Sequence, residues 1–225
     1  ESFLLSGKTV DLFGVGVVSP NADFYNTKLK DPKSPWETTN IYSKMVLDVA
    51  NTRVFPEKRG SGYCCRLETA IRKDNIAGLK VEVLIAGTLF VGELIEPVRG
   101  LKDPLKNVSQ GIQFTQKPQA VKFDYKYRIG EKRIKATYGI DPVEGADKAE
   151  FCIILQKRWE DKTGKVFATR IGGARQFFTG TVPDWVNGAI FPLTYGDFTR
   201  LPQYDPKTMG LIPSVGEVYV KNSQG

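Results

Sequence analysis

The sequence contains no histidine, and this absence closes off more chemistry than any residue present opens. Without imidazole the chain cannot build a Ser-His-Asp or Cys-His nucleophile pair, a histidine-ligated zinc centre, or an acid–base group with an ordinary pKa near neutrality. Any catalysis would rest on carboxylates, lysine, tyrosine or cysteine. Cysteine is scarce as well: Cys64, Cys65 and Cys152 form an odd set with no Cys-x-x-Cys spacing, which supplies neither a zinc motif nor a redox pair. A bond between the adjacent Cys64 and Cys65 would close a strained ring. The set reads first as buried thiols acting as small apolar groups, with one bridge from Cys64 or Cys65 to Cys152 left open. Long hydrophobic runs are also missing, since nowhere do about 18 apolar residues follow one another. The opening Glu-Ser-Phe-Leu-Leu-Ser has no basic segment leading into an apolar one, so no targeting or spanning segment is visible. The chain begins at Glu1 rather than Met, as expected of a mature or trimmed chain from which an export signal could have been removed, so the absence of one says nothing of compartment.

What is there suits a globular protein. The 225 residues are 41% hydrophobic and 25% charged, enough to bury a core, and the expectation is one domain over residues 1–225. Its first part, about 1–60, is richer in Pro, Asn, Asp and Ser and predicts long loops. The 22 glycines and 13 prolines recur before most helical patterns could run three turns, so strands are favoured. In Val121 to Ile129, Val121, Phe123, Tyr125, Tyr127 and Ile129 face one way and charged residues the other, the period of a half-buried antiparallel strand. Phe151 to Trp159, then Asp161-Lys162-Thr163-Gly164, then Val166 to Ile171 reads as a hairpin. Lys80 to Leu94 reads as a strand pair or one bent strand with a bulge or corner at Gly87, and Tyr63 to Thr69 as a further strand. Ala189 to Tyr195 is an edge strand at best, because Pro192 cannot donate to a ladder. Only Ile41 to Ala50 has helical spacing, with Ile41, Met45 and Val49 one face apart after a cap at Asn40. The pattern as a whole predicts more than about 40% strand and less than about 10% helix, arranged as an antiparallel sandwich or jelly roll.

Short motifs carry little chemistry. Gly14-Val15-Gly16 lacks the third glycine of a dinucleotide fingerprint, and Gly172-Gly173-Ala174-Arg175 reads as a small-residue turn without the Gly-Lys-Ser/Thr of a phosphate loop. The acids Asp141, Glu144 and Asp147 lack calcium-loop spacing and read as a solvated loop. No metal and no cofactor is expected. The chain carries +7 net charge, and Lys117 to Lys135 holds seven Lys and Arg against two acids. Strand alternation there puts Phe123, Tyr125 and Tyr127 opposite Lys122, Lys126 and Arg128, which argues for a solvated basic face and against a single-strand nucleic-acid platform.

The order of several segments carries more. Pro35-Trp36-Glu37-Thr38-Thr39-Asn40, then Gly60 to Thr69, then Ala86 to Gly92, then Gly111 to Pro118 leading into Phe123 to Tyr127, resembles the PCMD carbohydrate-metabolism domain of exported bacterial lipoproteins. The resemblance covers roughly Trp36 to Tyr195. It implies a jelly-roll β-sandwich similar to carbohydrate-binding modules, in the periplasm or on the cell surface of a Gram-negative bacterium, with any membrane attachment through a lipid anchor outside this sequence. It also implies a class of ligand, a glycan, rather than a reaction. The leading reading is non-catalytic glycan binding. Its alternatives are a carboxylate-dependent glycoside hydrolase, which would need two facing acids, and a structural or interaction module of a surface lipoprotein. A pyranose stacks its C–H groups on an aromatic face while its hydroxyls seek amides and carboxylates. Trp36 with Asn40, and Trp185 with Asp184 and Asn187, are the tryptophans flanked by such groups in loops, and they form the expected carbohydrate-binding surface. Trp159, beside Arg158 and Glu160 at a strand end, reads as a plug for the end of the sandwich. No nucleic acid and no obligate protein partner is expected.

Overall fold

The structure is a computed structural model that describes residues 2–5, 8–11, 36–38, 40–44, 48–51, 53–76, 78–95, 107–136, 140–196, 198–202, 204 and 220–224. Strand predominates in it, and the described residues contain no α-helix, only 3-10 structure at Asn107 and at Phe198–Arg200. In chain order the strands are β1 (Ser2–Leu5), β2 (Lys8–Asp11), β3 (Trp36–Thr38), β4 (Ile41–Lys44), β5 (Asp48–Asn51) and β6 (Val54–Arg59). There follow β7 (Gly62–Leu67), β8 (Ala70–Ile76), β9 (Leu79–Ile85), β10 (Leu89–Leu94), β11 (Val108–Gln110) and β12 (Ala120–Arg128). The last are β13 (Arg133–Ala136), β14 (Ile140–Val143), β15 (Ala149–Glu160), β16 (Val166–Phe178), β17 (Thr181–Pro192) and β18 (Thr194–Tyr195). Each described pairing is antiparallel. Local hairpins join β1 to β2, β4 to β5, β6 to β7, β8 to β9 and β13 to β14, whereas β3–β10, β12–β17 and β16–β18 pair segments distant in sequence.

The strand expected at Val121 to Ile129 is β12, and its alternation holds: Val121 is buried, Phe123, Tyr125 and Tyr127 are half-buried, and Lys122, Lys126 and Arg128 are exposed. Its inward rings meet those of β15, β16 and β17. Phe123 lies 4.6 Å from Phe191 and 5.0 Å from Phe151, and Phe178 lies 4.9 Å from Tyr125 and 5.2 Å from Tyr127 (centroid distances). Most of these pairs are tilted, an arrangement that puts ring edges against ring faces and adds to the gain from burial. This seam binds the β12–β17 pair to the β15–β16 hairpin.

Two expectations are corrected. The helix over 41–50 is instead β4 and β5, paired from Ile41 with Asn51 to Lys44 with Asp48; the i, i+4, i+8 apolar spacing is also compatible with two short strands folded on each other. The glycines 172 and 173 are not a turn but lie inside β16, where an added Cβ would come within 2.7 Å of the Tyr195 ring at Gly172 and 2.8 Å of the Ile153 carbonyl oxygen at Gly173. Both lack a side chain because neighbouring strands press on them. Gly87 is the corner expected of it: the chain leaves β9, changes sheet and enters β10, and a Cβ there would lie 2.5 Å from the Arg53 carbonyl oxygen. The segment Ala189 to Tyr195 belongs to two sheets, with Pro192 as the last residue of β17 and β18 paired to β16. Gly14 to Gly16 lie outside the described residues.

The β15–β16 turn forms as its sequence suggests. One Asp161 oxygen accepts from Thr163 N–H at 2.8 Å, Thr163 Oγ1–H at 2.6 Å and Lys165 N–H at 3.1 Å, and Gly164 takes φ +82°. The Thr163 side-chain bond first, and its backbone bond second, hold the Asp161 carboxyl below its ordinary value. A depressed folded pKa means that the turn's contribution is complete above the unfolded value and is lost as pH falls through the folded one. The Asp161 carboxyl resonance, followed by NMR, is expected to titrate below that of aspartate in an unstructured peptide; a midpoint at or above the peptide's would contradict the bonding.

Candidate functional site

The outward face of β12 and β17 is shaped by irregular pairing. Phe123 stands opposite Ala189, Tyr125 opposite Val186 and Tyr127 opposite Val182, so β17 carries extra residues between successive partners and bulges twice. The sequence supplies what such bulges need: Pro183, which has no N–H to give a ladder, and Gly188 at φ +66°. Bulges re-aim side chains, and these carry Asp184, Trp185 and Asn187 on or beside them. The Gly188 N–H donates to Asp124 Oδ1 at 2.5 Å and so ties the second bulge to β12.

Arg59, at the end of β6, completes the group. Its Nη1 donates to Asp124 Oδ2 at 2.9 Å, its Nη2 donates to Asn187 Oδ1 at 2.6 Å, and its guanidinium carbon lies 3.7 Å from the centre of the Trp185 ring. Lys126 places its Nζ 5.3 Å from the same ring and 3.4 Å from Glu57 Oε1. Glu57 also receives Arg66 Nε at 3.2 Å, and Arg66 pairs with Glu68. A half-buried tryptophan is thus framed by two cations, with the amide of Asn187 and the exposed carboxylate of Asp184 beside it. The guanidinium is planar and stacks readily on an indole.

Three of the residues expected at a carbohydrate surface, Trp185, Asp184 and Asn187, are therefore neighbours. Trp36 sits half-buried in β3 on the three-stranded sheet, opposite Val91. Asn40 is placed otherwise than a hydroxyl partner requires. It is buried, its Oδ1 accepts from the backbone N–H of Arg53 at 2.8 Å and of Val54 at 2.9 Å, and its Nδ2 donates to the Val54 carbonyl at 2.8 Å. Asn40 is a clamp on the start of β6, next to Val54 with 0% exposure. Trp159 is no plug: it is half exposed and lies parallel to Phe167 at 5.7 Å across the hairpin.

Arg59 and Asp124 are not among the residues the sequence singles out, and Lys126 is singled out only as part of the basic face it shares with Lys122 and Arg128. Asp124 and Lys126 were legible as outward positions of β12, but Arg59 is 65 residues from Asp124 and 128 from Asn187, and no local pattern connects them. The cysteines offer no nucleophile. All are free, burial pushes the Cys65 thiol up to about 12, and burial followed by the Glu57 charge raises Cys64. Cys152 is exposed rather than buried. Among the described residues no cluster of three acids or cysteines could hold a metal ion.

Substituting Asn40 by Ala leaves the Arg53 and Val54 backbone groups without their side-chain partners in a buried setting, which costs about 2–3 kcal/mol. Urea denaturation of Asn40→Ala measures this; a loss below about 0.5 kcal/mol would show that the clamp is dispensable.

Compared with known families, residues 19–175 match the model described as "Putative carbohydrate metabolism domain", abbreviated PCMD. The matched span includes Arg59 and Asp124 and ends before Trp185. No curated protein and no solved structure matches the chain.

Proposed function

The chain belongs to the PCMD family, and from that membership we propose that it binds a glycan without transforming it, as part of an exported bacterial protein. The observation that carries the proposal is the Trp185 group. An indole on a bulged strand, with Asp184 and Asn187 alongside, offers an apolar face for a pyranose and polar groups for its hydroxyls. The pairing of β12 and β17 with Asp124 and Arg59 holds these groups before any ligand arrives, which lowers the entropic cost of binding. Trp36 is the second aromatic contact for a longer chain.

The facing β12–β17 and β15–β16 layers support a jelly-roll sandwich of the kind found in carbohydrate-binding modules. Export, with the chain at the periplasmic or outer surface of a Gram-negative cell and anchored through lipid outside this sequence, follows from the family resemblance.

Hydrolysis fits less well. A glycosidase separates its two carboxyl groups by about 5–9.5 Å and keeps the gap open for the anomeric carbon and, in inverting enzymes, a water. Glu57 and Glu68 both pair with the Arg66 guanidinium, which stands between them.

A glycan array probed with the purified chain is expected to give binding with no product released. In Trp185→Ala that binding weakens by more than about 1 kcal/mol while the melting temperature stays nearly unchanged, as for a partly exposed aromatic hot spot. Unaltered affinity in the variant would remove Trp185 from the site, and cleavage of any array glycan would move the protein into the hydrolase class.

A further inference from the structure

Resting on the carbohydrate reading above, the structure points to a further property of the ligand: we propose that the glycan is acidic, bearing uronate or sulfate groups, and that a row of cations on β12 reads those groups beside Trp185. Two independent features lead there.

The first is what already lies on the aromatic faces. Arg59 stands 3.7 Å from the Trp185 ring centre and Lys126 5.3 Å, and the same pattern recurs at Arg66 over Phe55 (4.5 Å) and Lys117 over Tyr195 (4.9 Å). A neutral pyranose needs the ring face itself, and to reach the Arg59 side of Trp185 it must displace a guanidinium that Asp124 and Asn187 hold in place. An acidic sugar brings, besides the same ring, an anionic group that meets the surrounding cations in charge-assisted hydrogen bonds, the stronger kind.

The second is the charge arrangement on β12. Lys122, Lys126 and Arg128 project from the same face, about 13 Å apart between the first two and about 7 Å between the last two, with Asp124 between the first two paired to Arg59. Lys126 shares Glu57, but no ion pair is formed by Lys122 or Arg128 with any described residue. Gly188, in the bulge beside the Lys122 side chain, keeps room for it: a Cβ there would lie 3.1 Å from Lys122 Cε. An isolated surface lysine contributes little to anion binding in salt. A repeating polyanion engages the whole row at once, and each further contact forms at high effective concentration.

Nucleic acid is also a repeating polyanion, and the strand's own alternation argues against it. Single-strand platforms stack successive bases on exposed rings. Here Phe123 and Tyr125 turn inward to the seam with Phe151, Phe178 and Phe191, which leaves Trp185 as the aromatic beside the cation row.

The test is affinity electrophoresis of the chain through gels containing polygalacturonate, chondroitin sulfate or neutral dextran, repeated with a dT20 oligonucleotide as competitor. Retardation by polygalacturonate or chondroitin sulfate is expected to exceed that by dextran at least about tenfold, to fall about tenfold between about 50 and about 500 mM NaCl, and to drop about tenfold in the Lys122→Gln/Arg128→Gln variant. Preference for one gel over the other tells uronate from sulfate. Equal retardation by dextran, or an unchanged double variant, would overturn the acidic ligand while leaving carbohydrate binding in place. No retardation in any gel, with no hit on the glycan array, would overturn both. Displacement by dT20 at matched charge concentration would reduce the row to an unselective polyanion surface and equally overturn the proposal.

Discussion

The contact of Phe123 with Phe151 and Phe191, continued by Tyr125 and Tyr127 against Phe178, is the constraint on which the rest of this surface depends. These rings come from β12, β15, β16 and β17, and the β12–β17 pair and the contact of β12 with the β15–β16 hairpin join segments distant in sequence. Strand geometry sends neighbouring side chains to opposite faces, so once the rings of β12 are committed to the seam, Lys122, Asp124, Lys126 and Arg128 are committed to the outside. The charged face therefore follows from the apolar one. A one-residue slip in β12 would invert both at once.

The bulges of β17 interrupt that rigid frame. A regular strand would stay in step with β12, whereas the Pro183–Trp185 and Asn187-Gly188 stretches break step, and the second is fixed again by Asp124. Arg59 then ties the β6–β7 hairpin to the same carboxylate. Asp124 thus serves both the bulge and the arginine that frames Trp185, which makes it the link between fold and surface.

How much of this the sequence reveals depends on the range of the interactions. The period-two pattern of β12, the Asp161 turn and the corner at Gly87 are local consequences of side-chain chemistry and were legible, as was the family through the order of its segments. The strands at 41–51 were misread because Asn40 looks like a helix cap until its amide is seen bonded to Arg53 and Val54, thirteen and fourteen residues away. The paired glycines of β16 looked like a turn because the Tyr195 ring that crowds Gly172 comes from another strand. At the candidate site, the flanking of Trp185 by Asp184 and Asn187 was readable within five residues. The guanidinium over its ring was not, since only the folded chain brings Arg59 there.

The central claim is that the outward face of β12 and β17 around Trp185 is the glycan surface. The most direct measurement is an NMR titration of the isotope-labelled chain with a short oligogalacturonate, following the tryptophan indole N–H signals and the backbone amides. The account predicts shifts concentrated at the Trp185 indole, at Asn187 and Gly188, and along Lys122 to Arg128. Shifts confined to the Trp159–Phe167 pair, or no shift on β12 and β17 while the ligand binds elsewhere, would contradict it.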